Sequence, residues 1–402
     1  MRILVLNQYF APDRSATAQL LTELCEDLAD AGHEVEVVAG RPSYNPERAT
    51  RSRGLLSRER IGNVRVTRAW STGFHRSGIG GRLANYASYL TTSTMGALSS
   101  QRPDVVLAWT DPPPVSVVGA IVGRVRRAPL VVTTQDLFPE VALRVGVLDQ
   151  PAVIRMLRAT RRMVMRRASR VVAIGRDQRV RLIALGVPVE KLEVIPNWAD
   201  GVLIRPLDGE SQLRRGMGWS DRFVVMHSGN IGFSQDLETI IDAADILQRE
   251  DDVVFAIVGD GATKPRLEGE VRQRRLANVV FLPYQLRVSL ADSLGAADVH
   301  LVGLRPGLAG YVVPSKVYGI MAAGKPFIAS VEAGSEPAMI AEEHRCGVRV
   351  DPGDAAGLAA EILRLRGEDL DDMGRWARAV FDAHYDRPRA TSAYARLLEA
   401  LA

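Results

Sequence analysis

The residues whose types and spacing most directly suggest chemistry lie in Leu301 to Ser330, LVGLRPGLAGYVVPSKVYGIMAAGKPFIAS. Gly303, Gly307 and Gly310 lead into a Val-Val-Pro-Ser-Lys turn, and Pro314, Ser315 and Lys316 stand at the entrance of a short helical pattern, Val317 to Ala323. Glycines ahead of a helix let backbone N–H groups approach an anion closely, while the hydroxyl and the ammonium add a donor and a point charge. That chemistry suits a diphosphate. The plain alternative is an ordinary βαβ turn with a solvated lysine. A second candidate pair is Asp136 and Glu140, four residues apart just after an apolar strand pattern, Leu130 to Thr134. In a first helical turn both would share one face, an arrangement fit for general-base work. Asp136 could equally be a helix N-cap, and Glu140 a first-turn acid that complements the helix dipole.

The elements that must position these residues alternate. Apolar strand patterns at Ile3 to Leu6, Glu34 to Ala39, Val64 to Arg68, Val105 to Ala108, Leu130 to Thr134, Val171 to Ile174 and Leu192 to Ile195 are separated by helical patterns such as Thr17 to Ala31. A less regular stretch, 197–220, reads as a linker. A second series follows at Phe223 to His227, Phe255 to Val258, Val279 to Leu282, Val299 to Val302, Phe327 to Ser330 and Val348 to Val350. This alternation predicts an α/β protein of two doubly wound, Rossmann-like domains, 1–196 and 221–385, with a C-terminal helix in 386–402 that returns to the first. Ligands in such sheets bind outside the carboxyl ends of the strands, so the loops there are expected to face one interdomain cleft.

Composition agrees with two folded domains. The chain has 402 residues, 47% of them hydrophobic and 24% charged, with a net charge of +4, which argues against disorder. Cys25 and Cys346 are too few and too distant for a disulfide framework or a cysteine metal site, which fits a reducing cytoplasm. The N-terminus runs straight into a strand pattern, so no signal peptide is expected. The longest apolar run, Val115 to Val125, is interrupted by Arg124 and followed by Arg126 and Arg127, short of the ~20 residues needed to span a bilayer.

Several ordered motifs carry a family resemblance. SGNIG (228–232), IVGDG (257–261), and VPSK followed by MAAGKPFIAS resemble the retaining GT-B glycosyltransferases of family 4. Together with YFAPDRSATA, RPSYNP and TQDLFPE, the VPSK turn resembles the branch that transfers N-acetyl-fucosamine and related amino sugars in bacterial envelope glycan assembly. The resemblance spans nearly the whole chain. It implies a nucleotide-sugar donor on the second domain and an acceptor on the first, with no cofactor beyond the UDP-sugar itself. Gly229, Asn230 and Gly232 match the glycine turn near the diphosphate, Gly259 and Gly261 the second glycine turn, and Lys316 the lysine of the VPSK turn. Tyr284 falls where the family contacts the base, and Glu336 where an acid lies beside the nucleotide sugar. Two departures stand out. Many members carry a glutamate pair at the positions of Tyr311 and Gly319, and a basic residue shortly after the first glycine turn, where Phe233, Ser234, Gln235 and Asp236 stand here.

On this resemblance Lys316, helped by Arg305, would stabilise the leaving diphosphate without a metal, and Asp136 or Glu140 would act on the acceptor hydroxyl. Asp13, Arg14 and Ser15, on the first βα loop, are acceptor-binding candidates, although Pro-Asp is also an ordinary turn. Arg155, Arg158, Arg162 and Arg166 share a helical stripe in an arginine-rich span, which suits either a solvated face or an anionic membrane surface. No nucleic-acid motif accompanies them. The expectation is thus a cytoplasmic transferase of N-acetylated hexosamine or deoxyhexosamine, peripheral at the inner face of the membrane, with a glycan or lipid-linked acceptor. The same fold also serves UDP-N-acetylglucosamine 2-epimerases, and the absent glutamate pair permits a non-catalytic nucleotide-sugar-binding subunit.

Overall fold

A computed structural model describes residues 1–13, 15–42, 54–72 and 79–402. Arg14, the last four residues of RPSYNP, His75 and the side chain of Arg82 lie outside the described residues. By its contacts the chain divides into two compact units, one formed by Met1–Leu143, Leu148–Pro196 and Ala390–Ala402, the other by Arg144–Val147 and Asn197–Arg389.

The first unit is built on β1 (Arg2–Leu6), α1 (Ala16–Asp30), β2 (Glu34–Gly40), β3 (Leu56–Ile61), β4 (Val64–Ala69), α2 (Ile79–Ser99), β5 (Val105–Trp109), α3 (Val115–Arg126), β6 (Leu130–Thr134), α4 (Glu140–Arg144), α5 (Pro151–Arg167), β7 (Arg170–Ala173), α6 (Arg176–Ala184) and β8 (Leu192–Val194). Its sheet runs β3-β4-β2-β1-β5-β6-β7-β8. Every described pairing is parallel except that of β3 with β4, an antiparallel edge hairpin closed by Gly62. Every residue of the central β5 and β6 is buried, whereas LSRERI of β3 is buried nowhere. That contrast is the one expected of a parallel sheet covered on both faces and a solvated edge. Gly119 on α3 makes close packing possible, since a Cβ there would stand 2.9 Å from Leu130 Cδ1 and 3.0 Å from Ala108 Cβ.

The second unit carries α7 (Gln212–Gly216), β9 (Phe223–Asn230), α8 (Leu237–Ile246), β10 (Val253–Asp260), α9 (Lys264–Arg274), β11 (Val279–Leu282), α10 (Leu290–Gly295), β12 (Val299–Gly303), α11 (Lys316–Ala322), β13 (Phe327–Ser330), α12 (Glu336–His344), β14 (Gly347–Val350), α13 (Ala355–Arg366) and α14 (Asp371–His384). Its sheet is ordered β11-β10-β9-β12-β13-β14, parallel throughout the described pairs. Alternate residues of one strand enter different cores: Val225, Phe255 and Ile257 join one cluster, and Val224, Met226, Ala256 and Val258 the other. A strand's period of two therefore buries both faces. Residues 197–220 pack with this unit, with Trp198 and Trp219 buried and Arg214 paired to Asp298 at 2.9 Å.

From Ala390 onward the last described helix, α15 (Arg387–Glu399), and the residues after it belong to the first unit. Tyr394 is fully buried there, its ring 5.5 Å from that of Trp109 and its hydroxyl 3.3 Å from Thr133 Oγ1.

Candidate active site

In the second unit two glycine turns are locked together by their backbones. The register pairs Gly229 with Gly259 and Asn230 with Asp260 at the carboxyl ends of β9 and β10. Both glycines hold positive φ, +134° and +140°, a region that side chains disfavour. Room is also lacking: a Cβ on Gly259 would stand 1.9 Å from the Gly229 carbonyl oxygen, and one on Gly261 2.3 Å from that of Ile231. The amide of Ile231 donates to the Asp260 carbonyl at 2.9 Å, and the Thr263 hydroxyl donates to the Ile231 carbonyl at 2.8 Å. Asn230 is left exposed.

The loop after β12 closes on this pair. Gly303 passes so near that a Cβ would lie 2.4 Å from the Gln235 carbonyl oxygen, and the Arg305 amide donates to the Ser234 carbonyl at 3.0 Å. Gly307 and Gly310 turn the chain with positive φ, and Pro314 and Ser315 deliver it into α11, whose first residue is Lys316. The Lys316 ammonium lies 2.7 Å from Gln235 Oε1 and 3.1 and 3.4 Å from the two ring nitrogens of His227. Its Cε is 3.6 Å from where a side chain on Gly229 would begin, so the lysine lies over the first glycine turn. Among the described residues no carboxylate pairs with it. Burial pushes its pKa down to about 7, and burial followed by the Lys316 charge holds His227 well below its usual range. The cluster is a cation with neutral neighbours and glycine backbone around it, chemistry that receives an anion.

The other donor candidates have different surroundings. Arg305 donates to Glu238 at 2.7 Å, a carboxylate it shares with Arg266. Tyr284 is exposed beyond β11, and Glu336 is buried at the start of α12. Neither is a hydrogen-bond partner of Lys316. Neither His227 nor Gln235 is a site candidate on sequence grounds. A histidine in a buried strand reads as packing, and Gln235 reads only as the absence of a basic residue.

In the first unit the strand ends are held by side chains. The Arg68 guanidinium, almost fully buried, donates to the carbonyls of Ala11 and Gly40 and pairs with Glu59 at 2.6 Å, bracing the loop after β1. Asp13 is buried in that loop, and the Ser15 hydroxyl caps α1 by accepting from the Ala18 amide at 3.2 Å. At the end of β6, Gln178 donates to the Gln135 carbonyl at 2.7 Å, and the Gln135 amide donates to the Thr110 hydroxyl at 3.0 Å.

Asp136 follows directly, exposed as a residue but with its carboxyl desolvated by the surrounding protein, and that burial raises it to about 6. Among the described residues its carboxylate accepts no hydrogen bond, so it caps no helix. Asp136 and Glu140 do not share a first helical turn as expected. Pro139 disfavours helix at the residue before it, and α4 begins only at Glu140. Glu140 is buried and gripped by Arg161 and, at 3.0 Å, by Arg158. Desolvation opposes its charge, but those hydrogen bonds outweigh it and hold the carboxyl below its usual value. Both its oxygens are engaged in fastening α5.

Comparison with known proteins agrees with this architecture. Residues 16–198 match the glycosyl transferase 4-like domain, and residues 222–368 match the glycosyl transferases group 1 domain. A probable glycosyltransferase of Pseudomonas aeruginosa, WbjE, is 31% identical over 71% of this chain and 72% of its own length. A putative colanic acid biosynthesis glycosyl transferase of Escherichia coli, WcaI, is 28% identical over 90% of this chain and 91% of its own. Among solved structures, Anabaena HepE in complex with UDP and glucose superposes over 100% of both chains with a TM-score of 0.74 at 21% identity. With a family domain matched in each half and a relative of this identity over most of its length, the chain belongs to the glycosyltransferases of this 4-like and group 1 family, with the GT-B fold.

Proposed function

We propose that this glycosyltransferase moves an N-acetylated hexosamine or deoxyhexosamine from a UDP-sugar to a glycan or lipid-linked acceptor, with retention of configuration and without a metal. The observation that carries the reading is Lys316, a cation without a carboxylate partner among the described residues, lying over Gly229 beside two interlocked glycine turns. HepE was solved with UDP and glucose, and WcaI is named for colanic acid biosynthesis, which supports a UDP donor and an envelope glycan. As the bond between the anomeric carbon and the diphosphate oxygen breaks, charge grows on that oxygen. One preorganised group there lowers the barrier by about 2.7–4 kcal/mol. Asp136 takes the acceptor proton, since a carboxyl raised to about 6 is a stronger base yet still ionised at neutral pH.

The acceptor side meets an anionic membrane through α5. Arg155, Arg162 and Arg166 are exposed with Met156 and Met163 between them, while Ile154, Val164 and Met165 are buried. Arg158 shares its charge with Glu140. Each basic residue near such a surface contributes about 1 kcal/mol. No described helix is long and apolar enough to cross a membrane.

UDP release from a panel of UDP-sugars, with and without a lipid-linked glycan, tests the proposal. Release only when the acceptor is present, with the donor's anomeric configuration kept in the product, is the expected result. Epimerisation at C2 without acceptor, or donor binding with neither outcome, would overturn it.

A further inference from the structure

We propose that Gln235 and His227 are positioning residues for Lys316: they hold its ammonium over Gly229, so that the turn after β9 receives the diphosphate through a cation borrowed from the loop after β12. The inference rests on the donor reading of Lys316 above. Gln235 is largely buried and both ends of its amide are used, with Nε2 donating to Ser234 Oγ at 3.1 Å and Oε1 accepting from Lys316 at 2.7 Å. An ammonium only donates, so the amide orientation follows.

The turn that aims Gln235 is itself strained. Asp236 adopts a left-handed φ of +50°, uncommon for a residue with a side chain. Its carboxylate holds it there, accepting from the Thr239 hydroxyl at 2.8 Å and the Gly353 amide at 3.1 Å, while Gly303 leaves room for the Gln235 carbonyl. His227 completes the cradle from the buried end of β9, with Nε2 3.4 Å from the Asn230 carbonyl.

The groups that face or surround Lys316 leave its charge unmatched. From β9 comes His227, held neutral by burial and by Lys316 itself; from β12 comes His300, fully buried and pushed down to about 4, also chiefly by burial. Asp236 spends its carboxylate on Thr239 and Gly353, and Arg305 is paired with Glu238. Neutral acceptors can orient an ammonium without cancelling it. A carboxylate at position 235 would cancel it.

The test is UDP binding by calorimetry, from about pH 6 to about pH 8.5, in the wild type and in Gln235→Met, Gln235→Glu and Lys316→Met. UDP's own ionisation is common to all four and cancels in their ratios. Lys316→Met is expected to weaken binding about 100-fold at the acid end and to abolish the decline that the wild type shows as Lys316 loses its proton. Gln235→Met should move that decline to lower pH, so its loss is several-fold larger at the alkaline end. Gln235→Glu should move the decline up by about one pH unit and weaken binding about tenfold at the acid end.

If Lys316→Met behaves as stated but both Gln235 variants keep the wild-type midpoint, or lose the same factor at every pH, the positioning role is refuted and the donor reading stands. If Lys316→Met binds UDP as the wild type does, the donor reading itself falls. Thermal melts check folding, and Gln235→Glu, the same size as glutamine, decides alone if Gln235→Met does not fold.

Discussion

The carboxyl edges of the two sheets are built by different means. In the second unit the backbone makes the site: Gly259, Gly261 and Gly303 approach other main-chain atoms more closely than any side chain would allow, and Gly229 holds a positive φ of +134° beneath Lys316. In the first unit, Arg68, Gln178, Thr110 and the Arg161–Glu140 pair hold strand ends that would otherwise be loose. A phosphate-binding edge must present amides at close range, which only glycine permits. The first unit's edge is instead braced from behind by side chains, with Asp136 open at its front.

Four variants, one of them a triple substitution, would break or sharpen that contrast. Lys316→Ala is expected to have the largest effect, lowering turnover by about 100-fold or more while leaving the fold intact, as steady-state kinetics and thermal melts would report. Near-normal turnover would remove the lysine from the chemistry. On the other edge, Arg161→Met should destabilise the first unit by about 3 kcal/mol, because it strips the main partner from a buried carboxylate. The sign with pH follows from Glu140. Its folded pKa lies below the usual carboxylate value, so its contribution is present above that value and lost as pH falls through the folded one. The gap in denaturant midpoint between wild type and Arg161→Met should therefore be full near pH 7 and close in acid.

Asp136→Asn is expected to lower turnover by about 100-fold with UDP affinity unchanged. It should also remove the rise in rate with pH through about 6 that ionisation of Asp136 gives the wild type. If Asp136→Asn stays active and Glu140→Gln is inactive, the roles of the two carboxylates are reversed. The smallest effect is expected from Arg155, Arg162 and Arg166 changed together to Gln. Their loss should weaken sedimentation with anionic vesicles by about tenfold at low salt and leave neutral vesicles unaffected. Equal partitioning of both proteins would refute the membrane contact.

The same contrast explains what could be read in advance. Two parallel sheets followed from runs such as VVLAW and FVVMHS, because strands buried on both faces are continuously apolar. The glycine turns and VPSK were legible because backbone-built sites leave glycine in the sequence. β3 was missed, since LSRERI at a solvated edge lacks a clear pattern. Arg68 was missed because arginine reads as surface, and only the fold shows two carbonyls and a carboxylate converging on it. Asp136 was found, but its separation from Glu140 was not, because four-residue spacing suggests one helix face only where a helix exists. The cradle of His227 and Gln235 joins residues from two strand ends, a contact that no local pattern encodes.

Tyr394 adds a constraint of another kind, set by the order in which the chain is made. The ring that packs on Trp109 and reaches Thr133 belongs to residues 390–402. A ribosome releases the whole of the second unit before it releases this helix. Domains generally fold as units in order of synthesis, but the first unit here waits, with the ends of β5 and β6 uncovered, until its neighbour has been completed. A nascent chain stalled after Arg389 would thus carry the second unit whole and the first unit without the helix that covers Trp109 and Thr133.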